Sequence, residues 1–204
     1  MKAIKLTVVL LAIILMVGCR KSIERTMLPE HVTLMSGDIV LRCGSGITSR
    51  AVQMADGGGS YSHVGIVVDS AGILMIVHAV PDEHDSKDDI DRVKMDSPEK
   101  FFSSVRTSNG RVMRFTDSTM ARKAADAAYA IYRRGTLFDH DYDASDTTMM
   151  YCCELVEHAY NKVAGISVTD SIRHDVNLPA FNLKQVMLPS DFIRSSRLKT
   201  IATF

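Results

Sequence analysis

Two adjacent cysteines, Cys152 and Cys153 in MMYCCELVEHAY, and two histidines, His63 and His78 in SYSHVGIVVDSAGILMIVHAV, are the side chains here best suited to nucleophilic chemistry. A thiol attacks a carbonyl as its thiolate, which a helix N-terminus and a nearby imidazolium both stabilise. Both cysteines fall in the first turn of a helix expected from about Tyr151 to Ala164 and stopped by Gly165. Helical spacing separates them. Cys152, Leu155, Val156, Ala159 and Val163 share one apolar stripe, which should face a sheet. Cys153 lies about 100° round the helix, nearer Glu157 and Tyr160. Cys152 is therefore the candidate nucleophile, although a purely structural cysteine would occupy the same stripe.

The histidines lie on the two arms of an expected hairpin. With Ser70 and Ala71 at its tip, Asp69 faces Gly72, and the same register carried down the ladder sets His63 opposite His78. Directly opposed residues project from one face with Cβ atoms roughly 5 Å apart. One imidazole can then take a proton while the other holds its tautomer and orientation. A bulge at Gly72 would shift this register by one residue.

The elements that must position these groups read as mixed α+β, with hairpin strands mainly in the first half and helices in the second. Strands are expected at Ile39–Cys43, 63–68, 73–79 and Arg111–Phe115, and a short helix at Thr48–Ala55. Asp117 or Ser118 should cap a helix running to about Arg134 and stopped by Gly135. Asp82–Asp91 reads as a solvated loop, residues 135–150 as irregular and acidic, and the remainder as one strand and a surface tail. The chain of 204 residues suffices for one compact domain, and its 24 basic residues balance 24 acidic ones. That balance, without a basic stripe, argues against nucleic acid as a partner.

The N-terminus has a different character. MKAIK is followed by an apolar run, Leu6–Val17, too short to span a bilayer comfortably and ending in MVGC. This resembles a lipoprotein signal, which makes residues 1–18 a signal peptide, Cys19 the lipidated first residue, 19–35 a tether and 36–204 the domain. The expected setting is the cell envelope, on the outer membrane by resemblance to enteric lipoproteins. Cys43, Cys152 and Cys153 would then share an oxidising compartment with at least one thiol unpaired, and Cys43 is open to burial or to pairing with Cys153.

The motifs GDIV (37–40), SHVGIVV (62–68), VHAV (77–80) and YCCELV (151–156), in that order, resemble the permuted papain-like amidases and peptidases, the YiiX/YaeF-like branch of the NlpC-type superfamily. Ordinary papain-like enzymes place the cysteine helix before the histidine strand, whereas here His63 precedes Cys152. The resemblance implies an antiparallel sheet packed against helices, with the nucleophile at a helix N-terminus. It makes Cys152 the nucleophile, His63 the base and His78 the third group, where relatives often carry glutamate; Cys153 stands where serine is usual. It implies no cofactor or metal, and a cell-wall peptide or other amide as substrate. Two alternatives remain: a lipid acyltransferase or deacylase of the lecithin:retinol acyltransferase type, and a non-enzymatic binding module.

Other signals weigh less. The D-x-D-x-D run from Asp139 has Ala144 and Met150 where a calcium loop needs Gly and Glu. The glycine-rich DGGGSYS (56–62) leads into a strand, which disfavours phosphate binding. It reads as a flexible lip beside His63, with Tyr61 a candidate to line the substrate cleft. His31, His84, His140, His158 and His174 lack a patterned partner and read as surface residues.

Overall fold

The computed structural model describes residues 25–178 and 181–204. Its first half runs β1 (Ile39–Cys43), α1 (Ile47–Ala55), β2 (His63–Ser70), β3 (Ile73–Val80), β4 (Arg92–Asp96), α2 (Pro98–Phe101) and β5 (Asn109–Phe115). The second half runs α3 (Ser118–Arg133), β6 (Leu137–Phe138), β7 (Met149–Met150), α4 (Cys152–Ala164), β8 (His174–Leu178), β9 (Phe181–Val186), α5 (Pro189–Arg194) and β10 (Leu198–Thr203). One sheet carries the order β10-β5-β1-β2-β3-β4-β6-β7, antiparallel except between β6 and β7, and β8 pairs with β9 apart from it.

Period-two alternation sorts the sheet into two buried faces. Ile39, Leu41, Val64, Ile66, Val68, Val77 and Ala79 pack against α3 and α4, where Ala121, Ala124, Ala125 and Ala128 of α3 and Leu155, Val156 and Ala159 of α4 complete the main core. Each large aliphatic side chain buried there contributes on the order of 1.5–3 kcal/mol. Small residues set the spacing: Gly37, at φ 91°, lies so close to α3 that a Cβ would come within 2.4 Å of the Ala121 carbonyl oxygen. Its own carbonyl accepts from the Tyr160 hydroxyl at 2.6 Å, and the adjacent Asp38 takes Arg114 at 2.7 and 2.8 Å. The GDIV motif therefore joins the sheet to both long helices.

Val40, Val67, Ile76 and Val112 project from the opposite face onto Phe101, Phe102 and Leu34. Residues expected in the tether belong to this layer. Thr26 bridges to Ser103, the Met27 N–H donates to the Phe102 carbonyl at 2.7 Å, and Leu28 and Val32 pack on the cluster.

Three sequence expectations need correcting. The hairpin turns at Ala71 and Gly72 (φ 57° and 85°), so Ser70 pairs with Ile73 and Gly65, not His63, lies opposite His78. Two-residue turns with both central φ values positive match strand twist, and the Gly72 N–H donates to the Asp69 carboxylate at 2.7 Å. The register thus moves by two residues, which leaves both histidines on one face as diagonal neighbours. The expected surface tail contains β10, an edge strand paired with β5. The charged segment 82–91 is also more than a solvated loop: Glu83 takes Arg42 and Arg106, while Asp89 takes Arg92 and Lys94.

Candidate active site

Tyr151 precedes α4 in extended conformation, is itself buried, and accepts the Met187 N–H on its hydroxyl at 3.0 Å. This anchors the helix start and places half-buried Cys152 where the first N–H groups have no intrahelical partner. The β2–β3 ladder stops at Gly65–His78, while β3 continues against β4 as far as Val80–Arg92. Past that opening, the Cys152 sulfur meets the Val64 N–H and His63, both of which favour its thiolate.

The long helices lie on one face of the sheet and the histidines project from the other, so the thiol meets His63 past the end of the paired ladder rather than across a helix–sheet interface. His63 Nε2 lies 2.9 Å from His78 Nδ1, and His78 Nε2 lies 3.2 Å from Asp96 Oδ2. Lys100 donates to Asp96 Oδ1 at 2.6 Å, and Arg106 lies 3.8 Å from Oδ2. Phe101 stands over both imidazoles, with ring centroids 5.7 and 5.2 Å away. Gly65 makes room for them: a Cβ there would meet Ile76 Cγ2 at 2.8 Å and His78 Cβ at 3.2 Å. Arg42, directly opposite His63 in the β1–β2 register, is buried over the Phe101 ring and donates to Glu83 and the Phe101 carbonyl.

Three donors lower the Cys152 pKa well below that of an ordinary thiol: chiefly the Cys153 thiol, against the effect of burial, then His63 and the Val64 N–H. The two sulfurs are 3.9 Å apart. Burial and the proximity of Cys152 drive the Cys153 thiol the other way, leaving it protonated as a donor. Burial lowers the His63 imidazole to about 4, opposed by the Cys152 sulfur. It also lowers His78, opposed by Asp96. At Asp96, burial is outweighed by His78 and Lys100, leaving the carboxyl well below its usual range.

Cys152 lines two cavities. One, of about 230 Å³, presents Arg42, Thr48, Ser62, Asp82, Glu83 and Arg106. The other, of about 290 Å³, is apolar, with Val52, Tyr151, Leu183, Val186 and Leu188 among its walls.

The structure thus brings Cys152, His63 and His78 into one line. Tyr61 does not join them: it is 3% exposed, packs in the main core and accepts from Arg111 at 3.2 Å. Cys19 lies outside the described residues. Cys43 and Cys153 are both buried free thiols. Asp139 is buried too, holding its acidic loop through the N–H groups of Asp141 and Asp143. His174, expected as an unpartnered surface residue, bonds Asp191 at 2.8 Å. Asp96 and Arg42 are the site residues sequence reasoning missed. The alternation in RVKMD (92–96) was the available signal for Asp96, obscured by the charged segment before it.

A thiol at a helix N-terminus, an imidazole chain on an antiparallel sheet, and the histidine strand preceding the cysteine helix define a cysteine hydrolase of permuted papain-like architecture. The chain belongs to the family described as permuted papain-like amidase enzyme, YaeF/YiiX, C92 family, whose profile matches residues 33–202. It is similar in fold to the metalloprotein YiiX from Escherichia coli O157:H7, with a TM-score of 0.67 and 19% identity over 83% of this chain and 97% of that one. No curated protein matches it. Among the described residues, no group of three or more His, Cys, Asp or Glu side chains is arranged to hold a metal ion.

Proposed function

We propose that Cys152 attacks the carbonyl carbon of an amide in a cell-wall peptide or aminoacyl conjugate. The supporting observation is a helix-terminal thiol beside the Cys153 thiol, with its thiolate favoured by His63 and the Val64 N–H, and with His63 backed by a second imidazole at 2.9 Å. His63 takes the thiol proton as the C–S bond forms, and the carbonyl π pair moves onto its oxygen to give a tetrahedral oxyanion that the Cys152 backbone N–H receives. His63 delivers a proton to the departing amine, leaving an acyl-thioester. His63 then takes a proton from water, whose oxygen attacks the thioester carbonyl, and the acid leaves as Cys152 is regenerated. His78 orients His63 throughout. The same reading keeps the enzyme in the cell envelope, tethered to the outer membrane by acyl chains on Cys19.

The apolar cavity beside Cys152 favours a second reading, in which the acyl group is a lipid chain and the reaction is deacylation or acyl transfer. One experiment separates the two: reduced mature protein and Cys152→Ala are each incubated with muropeptides and phospholipids, and products are identified by mass spectrometry. Muropeptide cleavage lost in Cys152→Ala supports the amidase; cleavage of lipids alone refutes it. A thiol probe should label Cys152 rapidly and selectively. Equal labelling of Cys152 and Cys153, or none, indicates a binding module.

A further inference from the structure

We propose that Asp96 is a positioning residue for this reaction, one that selects the tautomer of His78. The inference rests on the Cys152–His63 reading and adds a fourth member to the line. When His63 holds the proton it has taken, its Nε2–H points at His78 Nδ1, 2.9 Å away. That nitrogen must then be an acceptor, and a neutral imidazole accepts at one nitrogen only when it carries its hydrogen on the other. Asp96 Oδ2 lies 3.2 Å from His78 Nε2 and accepts that hydrogen. A glutamate or asparagine as third group would present an oxygen directly; a histidine becomes an equivalent acceptor only through a second acceptor behind it.

The charges around His78 are otherwise committed. Arg42 and Arg106 both donate to Glu83, with Arg106 also 3.8 Å from Asp96 Oδ2. Lys94 bonds Asp89 and the Glu83 carbonyl, and Lys100 bonds Asp85 and Asp96 Oδ1, each at 2.6 Å. Phe101 closes the remaining side. Lys100 also dictates what Asp96→Asn would do. Facing an ammonium, the asparagine turns its oxygen to Lys100 and its NH2 to His78 Nε2, which forces the hydrogen onto Nδ1, against His63.

The test follows alkylation of Cys152 by iodoacetamide from pH 4 to 9 in wild type, Asp96→Asn, His78→Gln and the double variant, with 15N-histidine NMR to read the tautomer. In Asp96→Asn the rate at pH 6 should fall about 100-fold and its inflection move to higher pH, less than the roughly 10⁴-fold loss when a group directly behind a catalytic histidine is changed. The NMR signature of His78 should move from Nε2–H to Nδ1–H. In the His78→Gln background, where an amide oxygen faces His63 whatever stands at position 96, the same substitution should cost less than about threefold. Equal losses in both backgrounds, or an unchanged tautomer in Asp96→Asn, overturn the proposal while leaving Cys152 and His63 in place. Failure of wild-type Cys152 to react ahead of an ordinary thiol overturns the active-site reading and this one with it.

Discussion

Glu154 stands two residues after Cys152, buried, with neither carboxylate oxygen in a hydrogen bond of normal geometry. Burial and then the nearby Asp139 raise its pKa from the ordinary 4.5 to about 8, opposed by the Tyr151 N–H. The folded state therefore holds a proton that the unfolded chain releases between those values, and stability falls as pH rises through that window. The penalty is absent below about pH 4.5 and complete above about pH 8. At 1.36 kcal/mol per pH unit it amounts to about 3 kcal/mol at pH 7, which screening by nearby solvent reduces to roughly 2. Glu154→Gln removes the titrating group and keeps the shape. Any cost of burying the amide is the same at every pH, so the informative quantity is how the wild-type-minus-variant difference changes with pH. Urea and thermal unfolding at pH 5 and pH 7 should show the variant gaining roughly 2 kcal/mol on wild type between the two, or about 4–8 °C in Tm for a domain of this size. A difference that stays constant from pH 5 to pH 8 would refute the buried, protonated carboxyl.

Cys153→Ser keeps a donor beside Cys152, so its alkylation profile should stay depressed in pH and peroxide sensitivity should drop; Cys153→Ala removes that donor and should raise the inflection. Gly65→Ala forces a Cβ against Ile76, the Val77 carbonyl and His78, and should cost about 1–3 kcal/mol in urea unfolding together with a slower Cys152 alkylation rate. Tyr160→Phe strips the buried hydroxyl from the Gly37 carbonyl and should lower stability by about 1–2 kcal/mol while the alkylation profile of Cys152 stays where it was.

How these residues came to be legible differs from one to the next. The helix of Cys152 was readable because helical period acts locally, and Leu155, Val156 and Ala159 run into the core as their spacing requires. That stripe did not separate the two thiols, since Cys153 is the more deeply buried and Cys152 meets His63 past the end of the ladder. His63 and His78 were readable for a less secure reason. The expected turn lay one residue early, which moves the pairing register by two, and a strand alternates with period two, so the error cancelled in the face and survived only in the partner. A one-residue slip would have sent the histidines to opposite faces and dissolved the pair. Tyr61 misled because its glycine-rich setting suggested an exposed loop, whereas its ring belongs to the core and its hydroxyl to Arg111.

Asp96 was hidden for a deeper reason. Its partner is set by β3–β4 pairing, and the loop joining those strands looks like solvated charge until Glu83 and Asp89 are seen pairing with the strand residues Arg42 and Lys94. Those ion pairs brace the connection between β3 and β4. The register that follows puts Lys94 opposite His78 and Asp96 opposite Ile76, so Asp96 reaches the imidazole along a diagonal. Local pattern can therefore find the helix-terminal thiol and the imidazole it meets, because a helix start and a strand face are each written locally. The carboxylate that bonds the second imidazole depends on which strands lie side by side. A search for such partners should begin with acidic residues on the strand next to a buried histidine.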